Sequence, residues 1–235
     1  MNTVKINTSF GLFAIAVALL TTLSACNTTA TKHDNAKQEK RWFNPTVFDL
    51  NNIENGTVYS AQFDAEFYSR EGNTIVAKDC VELSTMSENS IAEREYVRWQ
   101  YFKVDCEAVE RFYRGSDVAI NVWPNMIDFS FIQSLPATVI PDLGGDGMDD
   151  RNGSLGEFES NLTLIDSGPH NVKISIDEMV IDYVVVARGD FNRDGYHNLF
   201  IRMDWYIEGA FGDGVDWVVL SRKSGDEKPE VLWRK

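Results

Sequence analysis

Positive charge is what this sequence has least of. Lys and Arg number 22 against 36 Asp and Glu, a net charge of −14 over 235 residues. Phosphate neutralisation needs clustered Lys and Arg, so nucleic acid is excluded as a partner, as is attraction to anionic headgroups. Acidity suits solubility and cation binding instead. Histidine is also scarce, at three residues, His33, His170 and His197. No His-x-x-x-His pair occurs, no Ser sits in a nucleophile elbow, and no Gly-rich phosphate loop precedes a helix. No catalytic residue is assigned on these grounds, and the balance leans away from an enzyme. Asp182 is the one carboxylate set among apolar neighbours, where desolvation raises a pKa. Its expected role is structural, paired to an Arg such as Arg202 across the sheet or lying at the strand end. What is present, 43% hydrophobic and 12% aromatic residues, suffices for one good core and a single domain of roughly 200 residues.

Long apolar runs are missing beyond the N-terminus. Lys5 precedes an apolar run over residues 10–20, then Leu23-Ser24-Ala25-Cys26. Such a run is too short for a hydrocarbon core that needs about 20 residues, but it fits a signal-peptide h-region. Leu-Ser-Ala-Cys resembles the lipobox of bacterial lipoprotein precursors. That resemblance implies a signal peptide over 1–25, acyl chains such as palmitate on Cys26, and cleavage that leaves Cys26 first. Asn27, where an Asp would retain the protein inside, implies the outer membrane, with the domain facing the periplasm or the cell surface. At about 0.8 kcal/mol per buried CH₂, several acyl chains hold a protein on a membrane unaided. Residues 26–41 read as a flexible polar tether, and residues 42–235 as one globular domain beginning at Trp42.

Cysteine is the next scarcity. With Cys26 lipidated, only Cys80 and Cys106 remain, in a compartment where disulfides persist, and they are expected to pair. The rest of the domain reads as mainly β, an α+β fold of antiparallel sheet with one or two short helices. Alternation places strands over 59–67 and 74–83 as a hairpin, then at Val118, Ile120 and Val122, at Phe158, Leu162 and Leu164, and at Val172, Ile174 and Ile176. Residues 180–187 are apolar on both faces, as in a covered central strand. Strands follow at 199–207, at Val215, Trp217 and Val219, and at 231–233. Residues 87–104 stay divided between helix formers and strand formers. Asp105 reads as the cap of a short helix that Gly115 stops. Trp42 and Trp123, each near a turn with Pro, are the Trp residues best placed for exposure.

One stretch carries definite ligand chemistry. Asp190, Asn192, Asp194 and Asn198 stand at loop positions 1, 3, 5 and 9, with Gly195 at position 6, the spacing that gathers oxygens around one hard cation. The stretch resembles the calcium loops of FG-GAP/VCBS repeats. That resemblance implies Ca²⁺ held by the four side chains and the Tyr196 carbonyl. Ile201 stands where an EF-hand needs Glu, and two formal charges imply a weak site, nearer 10⁻⁴ to 10⁻³ M. The alternative is a metal-free turn whose Asp and Asn cap their own backbone. Asp142, Asp146 and Asp150 repeat the template in part. Two copies do not make a propeller, which needs at least four blades. The expected function is a calcium-stabilised binding, adhesion or envelope-structural module with an envelope protein or polysaccharide as partner. An envelope hydrolase using carboxylate chemistry is the alternative.

Overall fold

A computed structural model describes residues 36–44, 63–144, 147–148 and 150–235. The fold is mainly antiparallel β, as expected, and the described strands close neither a barrel nor a propeller. The main sheet runs in the order β11 (Glu230–Arg234), β10 (Asp213–Ser221), β9 (Asn198–Ile207), β8 (Met179–Gly189), β7 (Asn171–Ile176) and β6 (Leu162–Ser167). The short β2 (Arg41–Trp42) joins it beside Ala187 and Arg188. Period-two sequence explains these strands. In β7, Val172, Ile174 and Ile176 are buried while the residues between them are half-buried.

Both faces of the sheet are covered, which is why β8 is apolar on both sides. One face presents Ile181, Tyr183, Ile201, Met203 and Leu220 to a layer that includes Ile132 of α3 (Phe129–Ser134) and Leu155 of α4 (Leu155–Phe158). The other presents Ala187, Phe200, Val215, Trp217 and Val219 to Val104, Ala108 and Phe112 of α2 (Tyr96–Arg114). A smaller cluster joins Trp99 of α2 to the hairpin of β3 (Ala65–Tyr68) and β4 (Thr74–Ala77).

Several expectations need correction. The short helix capped by Asp105 is a helix of 19 residues, and Asp105 lies within it, buried. Its buried residues Val104, Asp105, Ala108, Val109 and Phe112 share one face, while Trp99 is buried on another side, against the hairpin. Burying that face outweighs the strand preference of residues 96–104, which is worth well under 1 kcal/mol per residue. Gly115 ends the helix as expected, its N–H reaching the Arg111 carbonyl at 2.9 Å. The second strand of the hairpin stops at Ala77, because Asp79 accepts the Glu82 N–H at 2.8 Å and starts α1 (Cys80–Thr85). Phe158 ends α4 instead of joining a strand, and Trp123 is buried at 2% exposure. Ordered pairing starts before Trp42. Within the expected tether, β1 (Lys37–Glu39) pairs with β5 (Val118–Ile120). Residues 1–25, Cys26 and the start of the tether, like Tyr59 and Ala61, lie outside the described residues.

Cys80 and Cys106 are bonded, with Cα atoms 5.6 Å apart. The bridge fastens α2 to α1, the short helix that follows the hairpin.

Candidate functional site

The 190–198 loop is the connection between β8 and β9, whose pairing runs to Gly189 opposite Asn198. Two residues adopt positive φ, Arg193 at 62° and Gly195 at 90°, and these bends turn the chain back on Asp190. The Asp190 carboxylate is buried and accepts the N–H of Asp194 at 3.0 Å and of Gly195 at 3.1 Å, one on each oxygen. Asp194 accepts the Tyr196 N–H at 3.0 Å, and Asn192 accepts the Asp194 N–H at 3.4 Å. The Asn198 oxygen accepts the Phe191 N–H at 2.8 Å, while its amide nitrogen is buried without an acceptor among the described residues. The loop is also tied to β5, since the Ile120 N–H meets the Gly195 carbonyl and the His197 N–H meets the Ile120 carbonyl, both at 2.9 Å.

These contacts test the fit of a cation. Each engaged oxygen keeps a second lone pair, so Asp190, Asn192 and Asp194 retain capacity for a metal. Asn198 fits least well, because its oxygen serves the loop backbone and its buried nitrogen is a donor. Among the described residues, no three Asp, Glu, His or Cys side chains are grouped to hold a metal. A cation here would therefore rest partly on amide and carbonyl oxygens. In the second loop, Asp142 accepts the Gly144 N–H at 3.0 Å and Asp150 is exposed; Asp146 lies outside the described residues. His197 is fully buried, and burial with the nearby Arg188 pushes its imidazole down to about 4.

No family model, curated protein or solved structure shows significant similarity to the chain. The functional reading thus stands on side-chain chemistry.

A second constellation lies on the α2 side of the sheet. Asp182 does not pair with Arg202; it faces Asp204, while Arg202 faces Val184. A side chain two positions along the strand was the nearer partner. The Arg202 guanidinium forks onto Asp204 at 2.7 and 3.0 Å and reaches Asp105 at 3.1 Å. Asn44 donates to the same Asp105 oxygen at 3.0 Å, and Arg202 lies over the Tyr101 ring at 4.6 Å. Asp182 accepts from Asn171 at 3.2 Å and has Lys173 at 3.8 Å. Asp182 and Asp204 share an open cleft of about 390 Å³ with Tyr101, Lys173 and Tyr206. Burial raises both Asp204 and Asp105 against the pull of Arg202, Asp105 up to about 6. A helix read from Tyr96 would have exposed this network in the sequence, since it puts an Asp on the apolar face and so demands a buried partner.

Proposed function

We propose that the chain is a lipoprotein held on the outer membrane through Cys26, with a calcium ion stapling its β8–β9 hairpin. Asp190 carries the reading. Its carboxylate is buried at 2% exposure, is met only by loop N–H groups, and is bridged by no basic side chain among the described residues. Burying a carboxylate costs several kcal/mol unless its charge is compensated, and a hard cation at Asp190, Asn192 and Asp194, with the Tyr196 carbonyl, supplies that compensation. Asn198 is the marginal member of the set. The staple is structural, and the anchored domain serves as a binding, adhesion or envelope-structural module whose partner is an envelope protein or polysaccharide.

Calorimetric titration of the purified protein tests this. The expected result is saturable calcium binding in the 10⁻⁴ to 10⁻³ M range, abolished by Asp190→Asn. No saturable heat up to about 10 mM calcium contradicts it.

A second reading, an envelope hydrolase, draws support from the facing Asp182 and Asp204 in one cleft. The fork of Arg202 on Asp204 counts against it, because a neutralised carboxylate is a poor acid or base. Hydrolysis of envelope glycan abolished by Asp182→Asn would favour this reading; unchanged turnover in that variant would remove it.

A further inference from the structure

Between α2 and β10 lies a cavity of about 150 Å³ whose wall includes Tyr96, Trp99, Gln100, Lys103, Trp217 and Lys235. A cavity near that volume holds a group the size of one six-membered ring. The Trp99 side chain is 2% exposed, and its indole N–H has no acceptor among the described residues. Buried donors are nearly always satisfied, so an orphan in a cavity wall points to a partner that enters from outside. Lys103 and Lys235 approach each other, and neither has a carboxylate within ion-pair distance among the described residues. Each of the three acids of the same wall is engaged: the Tyr96 hydroxyl donates to Glu88 at 2.8 Å, Arg111 bridges Glu107 at 2.6 Å, and the Trp205 indole N–H donates to Asp216 at 2.8 Å. Lys235 is held in place by two main-chain bonds to Trp217, at 3.1 and 3.0 Å. Burial, and then the neighbouring Lys235, lower the Lys103 ammonium from the ordinary lysine range.

In a chain with 14 excess negative charges, one small cavity thus gathers an orphan N–H and two amines that lack an ion-pair partner among the described residues, Lys103 lying over the Trp99 ring at 4.3 Å. We infer that this cavity binds a small organic carboxylate, its anionic end on the Trp99 indole N–H and the two ammonium groups. Its ring or short apolar body would rest against Tyr96, Val104 and Trp217 of the same wall. The inference depends neither on calcium nor on the lipid.

The test is a titration of the purified protein with sodium benzoate, following the indole N–H resonance of Trp99, which Trp99→Phe assigns. A saturable shift is expected, together with no shift from benzylamine, a ring of the same size and opposite charge. Lys103→Met should weaken benzoate binding at least tenfold at unchanged fold; Lys103→Gln makes the same comparison should Lys103→Met not fold. A peptide ending in free Phe, set against its C-terminal amide, tells a chain-end carboxylate from a free small acid, and binding of either acid upholds the assignment. No saturable shift with benzoate, an equal shift with benzylamine, or binding indifferent to both Lys103 variants would overturn it.

Discussion

Asp105 is the residue whose protonation bears most directly on folding. It sits on the buried face of α2 between Arg202 and Asn44, and its carboxyl rises from the ordinary 3.8 to about 6. A raised folded pKa means that the folded state holds the proton more tightly, so this contribution is complete below about pH 4 and is lost as pH rises through about 6. At roughly 1.4 kcal/mol per pKa unit, the loss is on the order of 2–3 kcal/mol. Urea unfolding should show stability declining over that window, and Asp105→Asn, which keeps an acceptor for Arg202 and Asn44, should reduce the decline. Asp216, also pushed by burial up to about 6 while accepting the Trp205 indole N–H at 2.8 Å, keeps part of it. A decline of the same size in Asp105→Asn would refute the assignment. Gly195 is the other decisive single residue. At φ 90° it occupies backbone that L side chains rarely adopt, so Gly195→Ala should cost about 1 kcal/mol or more, read as a lowered urea midpoint.

At the scale of elements, α2 organises the molecule. It covers one face of the sheet, ends against the candidate cation loop, and carries Cys106. Its C-terminal Gly115 touches that loop: a Cβ there would stand 2.8 Å from the Asp190 carbonyl oxygen. Gly115 has φ −69°, open to any residue, so the cost of Gly115→Ala is steric, on the order of 1–3 kcal/mol, and it should weaken calcium binding along with stability. Gly115→Ala with unchanged stability would show that the loop backs away freely. Replacing Cys80 and Cys106 by Ser should lower stability by about 3.5 kcal/mol in the chain-entropy model of a 26-residue separation, measured by denaturant unfolding. A loss below about 1 kcal/mol would mean that packing of α1 on α2 already supplies the constraint.

The same helix shows how far the sequence was readable. Strands β7 to β10 were legible by two signals: period two survives in Val172, Ile174 and Ile176 of β7, and β8 is apolar on both sides because both of its faces are covered. Residues 96–104 were opaque because Tyr96, Val97, Tyr101, Phe102 and Val104 favour strands locally, and only the tertiary contact of Trp99 and Ala108 resolves them as helix. The loop chemistry could be listed from spacing alone. That Asn198 turns its oxygen to the Phe191 N–H could not, since it depends on how β9 leaves the turn. The carboxylate cavity was invisible for a simpler reason: its wall combines residues near 88–107, 215–217 and 235.

On the scale of the whole molecule, the proposed lipid anchor and the fold are separate devices. Among the described residues no helix is long and apolar enough to cross a membrane, and on the proposed reading attachment rests on Cys26 alone. Cys26→Ser should therefore move the protein from the membrane to the soluble fraction after cell fractionation, without altering its melting temperature. Membrane retention of that variant would oppose the anchor.

If a cation compensates the buried Asp190 and so stabilises the domain, thermal unfolding of the purified protein must differ with and without calcium. At about 5 mM calcium and a dissociation constant of 10⁻⁴ to 10⁻³ M, mass action adds roughly 1–2 kcal/mol, a rise of about 2–8 °C for a domain of this size. The account requires that rise in the native protein and its loss in the Asp190→Ala, Asp194→Ala double variant, which in chelator should melt close to the native protein. Equal melting of the native protein with and without calcium, or an equal deficit of the variant in both conditions, would show the loop to be an ordinary turn.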